Sequence, residues 1–234
     1  MTKRKRCLQL MVIGLLAVVA AVGIVYGGAG STAVADVPDR EAAIEAARQG
    51  LPVFLQAVSD LDPTRYGFKD KAELDAVVLG EPLEAYVLTP QALENFNSKQ
   101  SLAEQLKQMQ RWEFPLLVEG DARAILVVAF FQGRWQAVEF GNAPLAKNWQ
   151  TCIAGLAGQQ EGGKQYSLKL VKVPPIGGNF MLVETEGEEL LTPLSTFGGR
   201  LPGADNLKSY APDELVPVIA EAVRQAAIDI EDNQ

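Results

Sequence analysis

Histidine is absent from all 234 residues. Without it there is no Ser-His-Asp or Cys-His catalytic arrangement and no histidine-ligated metal centre, which excludes the commonest hydrolase and metalloenzyme designs. Cysteine is nearly absent too. Cys7 precedes the first apolar run and Cys152 lies far inside the chain, so no intrachain disulfide is expected. Cys152 falls on the apolar face of a helical pattern and, lacking a histidine partner, reads as a buried, inert thiol.

Other catalytic signatures are missing as well. No S-x-x-K spacing occurs, and the adjacent Ser98-Lys99 lies in a polar turn. The glycine-rich stretches 27–32 and 198–203 lack the Lys-Ser/Thr ending that gives a phosphate loop its geometry. Asp60-x-Asp62 runs into proline, without the further ligands of a calcium loop. Low-complexity tracts are also lacking, and 48% of residues are hydrophobic, enough for a packed core without staples.

Positive charge is concentrated at the start. MTKRKRC is followed by an apolar or glycine run from Leu10 to Tyr26, an export signal or membrane anchor. The run exceeds a usual signal core of roughly 7 to 15 residues and falls short of the ~20 that span a bilayer. Ala33 and Ala35 form a small-x-small site, so residues 1–35 are expected to be a cleaved signal peptide or a retained anchor. Either way, residues 36–234 are expected outside the cytoplasm, secreted or held by a single N-terminal segment, and membrane contact is expected only through that segment if it stays uncleaved.

Beyond residue 35, 17 basic residues face 29 acidic ones, a net charge of −12. No basic cluster supports nucleic-acid binding.

The densest apolar stretch of this exported part is Phe114–Phe140. Turn signals at Gly120-Asp121 and Gln132-Gly133 divide it into three strands, an antiparallel meander, and its middle segment Ala124–Phe131 reads as buried on both faces. Helical patterns begin at Pro38, with a kink or fresh start expected at Pro52, and recur at Ser101–Arg111, Leu145–Leu156 and Pro212–Ile230. Asp70 with Glu73, and Ser101 with Glu104, have capping-box spacing. Tyr166–Val173 alternates as a half-exposed strand, and a hairpin is expected to turn at Glu186-Gly187. Phe114-Pro-Leu-Leu-Val-Glu and Phe180-Met-Leu-Val-Glu echo one another; shared hairpin chemistry explains this without a duplication.

These patterns predict an α+β fold: a single domain with an antiparallel meander sheet packed by amphipathic helices, preceded by the apolar export or anchor segment.

Candidate sites follow from what remains. Tyr66, Phe68, Trp112 and Trp149 are aromatic residues that, if exposed, would recognise an extracytoplasmic protein, peptide or glycan; the competing reading is that Tyr66-Gly67-Phe68 plugs the edge of the core. Glu184, Glu186, Glu188 and Glu189 form an acidic hairpin, read as solvated charge in preference to a weak cation site. Alternation from Trp135 through Ala137 puts Glu139 on an apolar face, where a strand-end position is favoured over catalysis. No metal or cofactor is expected. The leading functional expectation is a non-enzymatic extracytoplasmic binding or interaction module. The alternatives are a secreted pro-region or protease inhibitor presenting VPPIGGN or STFGGRLPG, and a carboxylate-dependent hydrolase.

Overall fold

The computed structural model describes residues 37–157, 166–196 and 201–231. Cys7, the apolar N-terminal run, Ala33, Ala35, residues 158–165 and residues 197–200 within STFGGRLPG lie outside the described residues. The fold is mixed α and β, one eight-stranded sheet with helices on both faces. Its elements are helix α1 (Val37–Asp60), strands β1 (Val78–Leu79) and β2 (Leu83–Val87), short helices α2 (Pro90–Glu94) and α3 (Leu102–Gln105), the meander β3 (Lys107–Val118), β4 (Asp121–Phe131) and β5 (Arg134–Gly141), helix α4 (Ala143–Ala157), strands β6 (Ser167–Val173), β7 (Gly178–Thr185) and β8 (Glu188–Ser195), and helix α5 (Pro212–Glu231).

The strand order is β5-β4-β3-β2-β6-β7-β8, with β1 paired to β3 outside this path. The expected meander forms, and its tight turns place Glu119 and Gln132 at positive φ before Gly120 and Gly133, the geometry that matches strand twist. The sheet is not wholly antiparallel, however. β2 and β6 pair in parallel, a seam that joins two antiparallel groups through the α4 crossover.

Register decides which side chains reach which helix. On β4, Ala124, Leu126 and Val128 pack with α1, whereas Ile125 and Val127 face the α4 side, so the strand is buried on both faces through Val128. Phe130 and Phe131, at its end, are exposed. On β7, Phe180 and Leu182 pack with Leu215 and Ile219 of α5, and Met181 and Val183 pack with Trp149 of α4. Thus α1 and α5 cover one face of the sheet and α4 covers the other. β6 is a central strand, with Leu170, Val171 and Val173 buried, and not the half-exposed strand its alternation suggested.

Two helix expectations are corrected. α1 runs unbroken through Pro52, an exposed position where the unmatched carbonyl of Arg48 can turn to water. Gly50 is a close-packing site: a Cβ there would come within 2.3 Å of the Ala137 Cβ. The helix expected from Ser101 to Arg111 ends at Gln105, and residues from Lys107 join β3. The Ser101 side chain makes no cap bond within its helix; instead the Glu189 carboxylate of β8 accepts from the Leu102 and Ala103 amides at 2.6 and 3.1 Å. A carboxylate at the positive end of a helix serves as well from another strand as from the helix itself. The Asp70–Glu73 spacing does cap, over a 3-10 turn at Ala72–Ala76, with Asp70 accepting from the Ala72 and Glu73 amides and Glu73 accepting from Lys69.

Candidate functional site

α4 leaves one end of its sheet face uncovered, and a recess of about 340 Å³ opens there. β3 contributes Arg111 and Glu113 to it, β5 Glu139, and β6 Lys172, while Gly177 and Gly178 form a side-chain-free wall. Glu113 is 1% exposed, although it carries a charge. Its carboxylate accepts from Arg111 Nε at 2.9 Å and from Lys172 Nζ at 2.6 Å. Arg111 Nη2 donates to Glu139 at 3.0 Å, at the rim.

Local sequence explains how charges from different strands meet. In β2, which lies between β3 and β6, Leu83 pairs with Glu113 and Val87 with Lys172, and the middle position is the small, fully buried Ala85. Asn179 completes the arrangement: its amide nitrogen donates to Ser195 Oγ at 2.9 Å, which turns its carbonyl oxygen toward Lys172 Nζ at 2.6 Å. Burial pushes the Lys172 ammonium below its usual range, and the neighbouring Glu113 opposes that shift. Asn142, at positive φ, begins α4 and accepts from the Leu145 amide at 3.3 Å, which sets the helix terminus against the recess.

Glu139 is placed differently from expectation. A bulge between its pairing with Val127 and the Ala137–Val128 pair switches faces, so Trp135 and Ala137 pack beside α1 while Glu139 points to the recess.

The four aromatic candidates do not assemble into an exposed surface. Phe68 and Trp149 are core residues, 2% and 1% exposed, in separate clusters on opposite faces of the sheet. Tyr66 is half-buried and, with Phe68 and Phe54, surrounds the Phe140 ring. Trp112, expected at a helix end, lies half-buried in β3 beside the α1 core. The plug reading of Tyr66-Gly67-Phe68 therefore describes their positions: Gly67 turns at φ 98° where a Cβ would meet the Arg123 carbonyl oxygen at 2.2 Å.

The remaining candidates are also structural. Asp62 accepts from the Thr64 amide and hydroxyl, which hold its carboxyl below the usual range and cap the 3-10 turn Pro63–Tyr66. In the acidic hairpin, Glu184 is engaged by Lys169 and by the Ser167 hydroxyl, and Glu189 caps α3. Among the described residues no three metal-ligating side chains converge. Cys152 is unpaired and half-buried, and burial pushes its thiol up. Pro174–Ile176 is a 3-10 turn with Ile176 buried, so VPPIGGN does not present an extended strand.

Arg111, Glu113 and Lys172 were not singled out by pattern reading. Arg111 and Glu113 flank Trp112 at what reads as a helix end, whereas Lys172 shares the apolar side of its alternating strand with Tyr166, Leu168 and Leu170, a charge out of pattern. Recognising β6 as a central strand would have marked Lys172 as a charge pointing inward.

The chain matches no protein-family model, no curated protein and no solved structure.

Proposed function

We propose that the chain is an exported, non-enzymatic extracytoplasmic binding module whose ligand site is the recess over Glu113. The observation that supports this reading is the ion pair of the buried Glu113 with the half-buried Lys172. Buried ion pairs are a poor source of stability compared with apolar side chains of the same volume, so one placed at the floor of an open recess fits a role in recognition. Among the described residues the lining holds no serine, threonine, cysteine or tyrosine, and hence no hydroxyl or thiol nucleophile. Against the hydrolase alternative, Arg111 bridges Glu113 and Glu139, occupying the space that a sugar and a water would need between two acting carboxyls.

A fragment screen by thermal shift tests the proposal, since a ligand that binds only the native state raises Tm. Hits are expected with the native chain and should disappear in Glu113→Leu/Lys172→Met, which replaces the pair by apolar volume. Hits that persist in the double variant place binding elsewhere and defeat the proposal. Export is tested separately by sequencing the N-terminus of the mature protein. A start at Asp36 means cleavage, an intact Met1 or Thr2 a retained anchor, and recovery in the cytoplasm would remove the extracytoplasmic assignment.

A further inference from the structure

We infer that the recess takes a small carboxylate with a short apolar body, and that Glu139 is the rim carboxylate this ligand displaces from Arg111. The inference rests on the recess being a ligand site. Charge is the first ground. Arg111 and Lys172 both contact Glu113, so the floor holds two cations against one buried carboxylate. The second compensating acid is Glu139, whose side chain is 59% exposed. Arg111 thus gives Nε to one acid and Nη2 to another, although a guanidinium is built to hold a single carboxylate with two parallel bonds. An exposed partner of this kind is weakly held and exchanges with a ligand of the same chemistry.

The rest of the lining sets the body of the ligand. Met109, Ile125, Val127 and Leu145 bring hydrocarbon to the same recess, so a fully polar anion would leave that wall unmatched. A volume of about 340 Å³ limits the ligand to a small molecule. The nearby start of α4 adds positive potential, although in its first turn the Leu145 amide already donates to Asn142 Oδ1 and Pro144 has no N–H to offer. An amine would meet two cations and an acid already engaged.

Pentanoate, pentanamide and pentylamine are compared on the full chain, with the amide NMR signals of Gly141, Gly177 and Gly178 as the readout. Pentanoate is expected to shift these signals saturably and to bind at least about ten-fold more tightly than either analogue, as for a charge-assisted bond in place of a neutral one. Glu139→Gln, an exposed and structurally mild change, removes the competitor and is expected to tighten pentanoate about two- to five-fold. Arg111→Lys keeps the charge, loses the planar fork, and is expected to weaken it. Equal binding of pentanamide or pentylamine overturns the carboxylate assignment while leaving the recess a ligand site. Absence of any shift with all three, beside recess-dependent hits in the fragment screen, overturns it too; absence of both removes the underlying reading. Unchanged pentanoate affinity in Glu139→Gln overturns the displacement role.

Discussion

Glu113 and Lys172 meet at 2.6 Å over β2, the strand that separates them, in which Leu83 pairs with Glu113 and Val87 with Lys172. A buried carboxylate and a half-buried ammonium stand where packing alone would have favoured hydrocarbon. Removing one partner strands the other. Glu113→Leu is therefore expected to destabilise the chain by roughly 3–5 kcal/mol, whereas Glu113→Leu/Lys172→Met should return close to the native value. Denaturant unfolding of the three proteins checks this. A double variant as unstable as the single one would mean that the pair is required by the fold.

Glu189 reaches from β8 to the first turn of α3, accepting from the Leu102 amide at 2.6 Å. Glu189→Ala is expected to cost about 1–2 kcal/mol, in the range of a lost cap. Hydrogen exchange at Leu102 and Ala103 should accelerate at the same time. Unchanged exchange at both amides would show that the cap is not used in solution.

Stability should fall in acid in a way that Glu73 explains. Its carboxyl is held below the usual range chiefly by the Lys69 amide, and also by Arg123, which burial partly opposes. A carboxyl whose folded value is depressed contributes stability that is full above the unfolded value, about 4.3, and is lost as pH falls through the lower folded value. The difference in unfolding free energy between the native chain and Glu73→Gln is thus expected to be largest near neutrality and to shrink below pH 4. A constant difference from pH 7 to pH 2.5 would contradict this.

Gly67 and Gly187 both sit at positive φ, yet they should respond differently to alanine. A Cβ at Gly67 meets the Arg123 carbonyl oxygen at 2.2 Å, whereas at Gly187 nothing lies within 4 Å. Gly187→Ala should cost about 1–2 kcal/mol from backbone handedness alone. Gly67→Ala should cost distinctly more, because the backbone of β4 must also move. Comparable losses in thermal unfolding would argue against the tight approach.

Much of the fold was legible because its signals are local. Glycine turns gave the meander and the Glu186-Gly187 hairpin, and the apolar faces of α4 and α5 were readable at helical spacing. What pattern could not carry was pairing at a distance. The parallel β2–β6 seam joins strands separated by the whole meander and α4, and nothing in β6 itself announces a central position. The site shows the same limit more sharply. Arg111 reads as the end of a helix, Lys172 breaks the apolar side of its strand without naming a partner, and Glu139 looks misplaced only because a bulge, invisible to strict alternation, turns it to the recess. The aromatic residues show the opposite limit: Phe68 and Trp149 have the chemistry of recognition, but the core uses their volume.

The central claim is that ligand recognition takes place in the recess over Glu113. A map of amide NMR shifts across the full chain, recorded with the hits from the fragment screen, tests it most directly. The account predicts that shifts concentrate at Gly141, Asn142, Gly177, Gly178 and Asn179, and vanish when Glu113→Leu/Lys172→Met is titrated under the same conditions. Shifts that spare these residues and gather instead at the exposed Phe130, Phe131 and Val138 of the β4–β5 edge would contradict it.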